Sequence, residues 1–298
     1  MPELPEVQAL VDFLAERAVG EAVTGVELGS ITVLKTYAPP PEALVGAPVE
    51  TVTRHGKFID LDCGGTHLIF HLARAGWLRW YDEVPTTRLR PGKSPIAMRV
   101  RLTSRHSSRL SSRHSGGAGF DLTEAGTKKR LAAYVTAEAR EVPGIVTLGP
   151  DPFAEEFTEE VFAGILRSRN AQIKGVLRDQ SIIAGIGNAY SDEILHVAKL
   201  SPFALAAKLT DDDVTRLYAA VRGTLAAAVQ AASGRPAAEL KDAKRAGMRV
   251  HGRTGEVCPE CGDVVREVSF ADSSLQYCST CQTGGKPLAD RRTSKFIK

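Results

Sequence analysis

Four cysteines near the C-terminal end carry the plainest chemical signal in this chain of 298 residues. Cys258-Pro-Glu-Cys261 and Cys278-Ser-Thr-Cys281 are two C-x-x-C pairs with sixteen residues between them. Two such knuckles on a short hairpin can close a tetrahedral thiolate shell around zinc. With all four positions filled by protein, no place is left for water or substrate, so one structural zinc is expected. Cys63 stands apart, and this grouping argues for a metal rather than disulfides.

At the other end, Met1 precedes Pro2 and Glu3. Methionine is normally trimmed ahead of a small residue, which would leave Pro2 carrying a secondary α-amine. Such an amine titrates at about pH 8, against about 10.4 for lysine, so an appreciable fraction is a free nucleophile at neutral pH. Its attack on a sugar C1′ gives a permanently cationic iminium, an electron sink for later elimination. Glu3 beside it could donate and accept the protons. By spacing alone, however, Met-Pro-Glu is an ordinary beginning. A third signal is Gly185-Ile-Gly-Asn188, a glycine-hinged turn into a helix start, where backbone N–H groups and the Asn188 amide can hold a phosphate.

The elements that must position these groups change character along the chain. Val7, Leu10, Val11, Leu14 and Ala18 recur at helical spacing, with Pro5 and Glu6 opening the helix and Gly20 closing it. Alternating runs follow (Ile59, Leu61, Cys63; Leu68, Phe70, Leu72; Met98, Val100, Leu102), as in one-sided strands of an antiparallel sandwich or barrel. Arg54, His55, Lys57, His67, His71, Arg74 and Arg79 give these strands a cationic polar side. Residues 104–119 are mostly Ser, Arg, His and Gly and read as a flexible loop or insertion. From about Pro150 the pattern is helical, at 158–169, 171–179, 188–198 and 211–233. Thr210 and Asp213 have capping-box spacing before the last of these.

The chain's net charge is only +3, yet residues 84–131 alone carry +9, and the tail holds Lys286, Arg291, Arg292, Lys295 and Lys298 against Asp290. Two concentrated basic zones suit a polyanion, nucleic acid first among them. No apolar run approaches the roughly 18 residues of a membrane helix, and Met-Pro-Glu-Leu is no export signal. A cytoplasmic, nucleoid-associated location with no membrane partner is expected.

Taken together, the motifs resemble the formamidopyrimidine-DNA glycosylase and endonuclease VIII family. The resemblance spans Pro2-Glu-Leu-Pro-Glu-Val7, Arg54-His-Gly-Lys57-Phe, Leu148-Gly-Pro-Asp-Pro152, Gly185 to Leu195 and the cysteine finger. It implies an α+β protein: an antiparallel β-sandwich with a flanking helix (1–147), a helix-two-turn-helix domain (148–250), then the zinc finger and basic tail (251–298). It further implies a monomeric, bifunctional DNA glycosylase and abasic-site lyase of base-excision repair, with damaged double-stranded DNA lying between the domains. Pro2 resembles the Schiff-base nucleophile, Glu3 the acid that assists sugar-ring opening, and Lys57 the hairpin lysine that contacts phosphate and aids β-elimination. Asn188 and Lys174 resemble phosphate anchors, and Glu6 and Glu193 acidic residues lining the active site. His71, Arg74, Lys129 and Arg130 are the remaining expected DNA contacts.

The chain also departs from the family pattern. Arg74 occupies the position of a gap-filling methionine, Thr123 to Leu131 replaces an Asp-Pro-Arg-Arg-Phe-Gly loop, and Ser273 stands where the finger normally carries arginine. The 8-oxoguanine:cytosine preference is therefore not implied, and oxidised pyrimidines or ring-opened purines are expected instead. Either δ-elimination is weak or a tail cation such as Arg291 or Arg292 serves it. Two rival readings are a specialised glycosylase for bulky adducts or interstrand crosslinks, and a non-catalytic damaged-DNA-binding protein.

Overall fold

The computed structural model describes residues 1–92, 95–103, 117–125, 127–271 and 273–290. Residues 104–116 of the Ser/Arg/His segment, and the tail cations Arg291 and Arg292, lie outside the described residues. The chain forms two compact units. The first comprises Met1–Thr147 with Ala232–Lys241, the second Leu148–Ala231 with Asp242–Lys298.

Unit 1 opens with α1 (Leu4–Ala18), whose buried stripe contains Val7, Leu10, Val11, Leu14 and Ala18, as the helical spacing requires. Leu10 and Leu14 are both fully buried, and each such side chain stabilises the fold by on the order of 2 kcal/mol. The strands are β1 (Val23–Leu28), β2 (Val49–His55), β3 (Phe58–Cys63), β4 (Thr66–His71), β5 (Gly76–Tyr81), β6 (Ile96–Leu102), β7 (Gly119–Glu124) and β8 (Ala132–Thr136). They make two antiparallel four-stranded sheets, ordered β1-β6-β7-β5 and β2-β3-β4-β8. Ile59, Leu61, Leu68 and Phe70 of one sheet share a core with Met98, Val100, Phe120 and Leu122 of the other. Phe70 and Phe120 meet across it at 6.0 Å.

On the opposite face of the second sheet the cationic side chains are less free than the sequence suggests. Buried Asp60 on β3 takes His55 Nε2 at 3.0 Å and His67 Nδ1 at 2.9 Å, bridging β2, β3 and β4. The return segment Ala232–Lys241 completes the unit: Ala232, Ala237 and Leu240 join its core, and Trp77 Nε1 donates to the Ala237 carbonyl at 3.0 Å.

In unit 2, helices α3 (Glu159–Arg167), α4 (Ile173–Arg178), α5 (Asn188–Val197) and α6 (Asp211–Ala232) follow a short α2 (Pro143–Val146) at the end of unit 1. The expected capping box opens α6: Asp213 N donates to Thr210 Oγ1, and Thr210 N to Asp213 Oδ2, both at 3.2 Å. After α7 (Leu240–Gly247) come the hairpin β9 (Val265–Ser269) and β10 (Ser274–Cys278) and a last turn, α8 (Ser279–Thr283).

Candidate active site and zinc centre

Pro2 and Glu3 sit immediately ahead of α1, and both are buried, whereas Met1 is half-exposed. Glu3 is the helix N-cap, and Glu6 is its capping-box partner. The Glu3 amide donates to Glu6 Oε2 at 2.9 Å. Each carboxylate thus satisfies a backbone donor that the first turn would leave open, and both gain from the positive end of the helix. Glu6 therefore fixes the backbone carrying Pro2 and Glu3.

Lys57 lies at the β2–β3 turn, where His55 pairs with Phe58 and only Gly56 and Lys57 intervene. Gly56 adopts φ +56°, a region open to glycine without strain. The lysine is unusually buried for a hairpin tip, at 6% exposure. Arg54 pins this turn to α1: its Nε donates to Gln8 Oε1 at 3.0 Å and its Nη1 to the Gly56 carbonyl at 3.1 Å. One guanidinium thereby ties the lysine's turn to the helix that begins at Glu3.

His71 lies opposite Phe58 on β4, the two rings 4.8 Å apart. Burial, with a smaller push from the Lys57 ammonium, drives its pKa down to about 4. Its Nδ1 accepts from the Ala73 amide at 3.1 Å, which shapes the turn presenting Arg74 to solvent. A consequence follows for stability. The unfolded chain protonates this imidazole near pH 6.5, the folded chain only near pH 4, so its contribution is lost as pH falls between those values. Urea melts at pH 7 and pH 4.5 should show the wild type losing roughly 2–3 kcal/mol more than His71→Gln.

Lys129 and Arg130 are exposed on the β7–β8 turn. The turn is built on buried Glu124, whose Oε1 accepts from the Arg130 and Leu131 amides at 2.7 and 3.0 Å, while Lys129 Nζ donates to the Glu124 carbonyl.

In unit 2, Gln180 clamps the loop before α5, its side chain accepting from the Gly185 amide at 3.0 Å and donating to the Ile186 carbonyl at 2.7 Å. Gly185 adopts φ +88° there, so its hinge role is real. Asn188 opens α5 and points one amide proton at the Ser274 carbonyl of β10, 2.8 Å away.

Two expected site residues make buried contacts within unit 2. Lys174, assigned as a phosphate anchor, is buried at 5% exposure and directs its ammonium inward to Asp192 Oδ1 at 2.6 Å, Ser191 Oγ at 2.8 Å and the Asn188 carbonyl at 3.2 Å. These contacts tie α4 to the start of α5. Glu193, assigned to the active-site lining, accepts three successive amides, from Arg249, Val250 and His251, at 2.7–3.0 Å. Burial raises its pKa, and these amides draw it back. Its carboxylate clamps the turn that leads into the finger. Asp192, which sequence reasoning passed over, also holds His251 Nδ1 at 2.8 Å. Lys174→Met leaves a fully buried carboxylate short of its cation, a defect worth about 3–5 kcal/mol. Thermal melting should show Tm lower by roughly 10 °C, while the paired change Lys174→Met with Asp192→Leu loses less.

The four finger cysteines bring their sulfurs within 4.8 Å of one another, the span of a tetrahedral thiolate shell. Cys258 and Cys278 are buried, and burial pushes the Cys278 thiol up to about 11 and raises Cys281 as well. Four such sulfurs ionise together only around a cation, so the donor set fits zinc and leaves no open position.

These features have counterparts among known proteins. Residues 1–115 match the formamidopyrimidine-DNA glycosylase N-terminal domain, 148–237 the H2TH domain of the same enzymes, and 255–284 the zinc finger found in FPG and IleRS. A formamidopyrimidine-DNA glycosylase from Symbiobacterium thermophilum is 32% identical over 304 residues, covering 98% of this chain and 93% of its own. An uncharacterized formamidopyrimidine-DNA glycosylase-like protein of Mycobacterium tuberculosis is 58% identical over 151 residues, covering 51% of this chain and 94% of its own. Among solved structures, the Lactococcus lactis glycosylase bound non-covalently to DNA with an abasic site superposes with a TM-score of 0.77 at 23% identity, over 94% of this chain and 99% of that one. MutM in complex with DNA containing carbocyclic 8-oxo-G gives 0.79 at 24%, over 95% and 100%. The chain belongs to the formamidopyrimidine-DNA glycosylase family, DNA glycosylases of base-excision repair, and its finger is that family's structural zinc site. Among the described residues no helix is long and apolar enough to cross a membrane.

Proposed function

We propose that this glycosylase is bifunctional and acts as a monomer on damaged double-stranded DNA through the amine of Pro2, freed by removal of Met1. The damaged nucleotide must leave the stack to expose C1′. The Pro2 nitrogen attacks C1′ and loses its proton to solvent, and the glycosidic bond breaks with its electron pair leaving on the base. Glu3 protonates the sugar ring oxygen as the ring opens, and the nitrogen lone pair completes an iminium to C1′. Loss of a C2′ proton then sends electrons into the iminium and expels the 3′ phosphate, breaking the strand. Lys57 contacts phosphate and aids this elimination, and His71, Arg74, Lys129, Arg130 and the second amide proton of Asn188 add DNA contacts. With Ser273 in the arginine position, δ-elimination is either weak or falls to Arg291 or Arg292.

The observation that carries this reading is the buried Pro2-Glu3 start, held by Glu6 and joined through Gln8 and Arg54 to the turn of Lys57. Oxidised pyrimidines and ring-opened purines are the proposed lesions. The exposed Arg74 and the basic 127–130 turn, in place of an apolar wedge, favour bulky adducts or crosslinks as a second reading.

Borohydride trapping on a panel of duplexes with an abasic site, oxidised pyrimidines, ring-opened purines and a crosslink tests both. A covalent adduct mapping to Pro2, and absent when an N-terminal extension blocks the amine, is expected. Binding without any adduct on every substrate would leave a non-catalytic damage-binding protein and overturn the mechanism.

A further inference from the structure

Asn188, Asp192 and His196 fall at i, i+4 and i+8 on α5, a polar stripe on one face of the helix. The first two reach Ser274 and His251. The third reaches the metal centre: His196 Nε2 lies 3.3 Å from Cys258 Sγ, and the imidazole is 1% exposed. His196 Nδ1 is buried and has no hydrogen-bond partner among the described residues.

That geometry fixes the proton. A thiolate offers only lone pairs, so the hydrogen of this contact sits on Nε2. With no acceptor facing it among the described residues, Nδ1 is best left as a bare acceptor, a smaller cost than an orphaned N–H. Four thiolates around one dication carry two net negative charges in a partly dry site, and an N–H aimed at a ligand sulfur is the means by which proteins disperse such charge.

We propose that His196 is an outer-shell residue of the zinc centre, and that its hydrogen bond to Cys258 couples zinc occupancy to the order of α5. Gln282, on the turn that carries Cys281, donates to the Leu200 carbonyl at 2.9 Å just beyond the same helix end and reinforces the link. The inference rests on the zinc site and is independent of the Pro2 chemistry.

The test uses the full-length zinc-loaded protein. Zinc transfer to the chromogenic chelator 4-(2-pyridylazo)resorcinol is followed for wild type, His196→Phe, which fills the volume without a donor, and His196→Gln, which restores one. His196→Phe is expected to lower zinc affinity ~10- to 100-fold, with His196→Gln recovering most of the loss. Amide hydrogen exchange over residues 188–197 should quicken in His196→Phe alone. Should that variant not fold, His196→Asn, whose shorter amide stops short of the sulfur, takes its place with the same expectation. Wild-type zinc retention in the donor-free variant would overturn the assignment, as would a glutamine variant no better than phenylalanine. Faster zinc loss with wild-type exchange in α5 would overturn the coupling.

Discussion

Glu3→Gln should slow release of a damaged base by about 10²- to 10⁴-fold, the usual weight of a positioned proton donor, while cleavage at a preformed abasic site falls far less. The substitution keeps the side-chain oxygen that caps α1, so the bond pattern around Glu6 survives and the fold is not the variable. On the proposed mechanism, what goes is the acid that would protonate the sugar ring oxygen as C1′ is attacked. A preformed abasic site already equilibrates with its open aldehyde, so Pro2 can condense with it without that help. Single-turnover rates on the two substrates measure the split. Equal losses on both would mean that Glu3 serves Pro2 itself and not the ring-opening step.

Removal of zinc should have the second large effect. The apolar core of the finger is small: Val250 and Val265 pack with the cysteines, and a second patch joins Val268, Leu275 and Tyr277. Structural zinc in isolated fingers binds with about 10–16 kcal/mol of apparent free energy, most of it folding free energy. Chelation, or Cys261→Ser at the exposed ligand, is therefore expected to unfold residues 251–290 and release the Asn188 contact to Ser274. Affinity for an abasic duplex should drop at least ~100-fold, about 3 kcal/mol. Borohydride trapping at saturating protein should persist, because Pro2, Glu3 and Lys57 belong to the other unit. Fluorescence anisotropy on zinc-free protein gives the affinity, and a loss below threefold would remove the finger from DNA binding.

How much of this was readable beforehand depended on the range of the interaction. The face of α1, the C-x-x-C pairs and the Thr210–Asp213 cap are local patterns in which spacing alone fixes geometry, and each stands as read. The pairing of β1 with β6 and β7 with β5 joins distant residues, and alternation tells a strand its faces but not its neighbours. The partners of Lys174 and Glu193 were out of reach for a related reason. A matched motif position gives the residue type, but the ammonium's destination depends on Asp192, and the carboxylate's on amides 249–251, more than fifty positions away. The periodicity of Asn188, Asp192 and His196 was the usable clue, since polar groups at helical spacing in a buried helix imply partners along one face.

The return of Ala232–Lys241 to unit 1 has a consequence for biosynthesis. A nascent chain ending at residue 147 has all eight strands of the sandwich but lacks Ala232, Ala237 and Leu240, and its Trp77 indole has no carbonyl to meet. The first unit made is thus not the first finished. Its core waits on the ribosome until residue 241 emerges, by which time α3 to α6 of the second unit are already out. A release series of stalled chains probed by protease should show protection of the sandwich arriving in two stages, the later one only after that segment clears the exit tunnel.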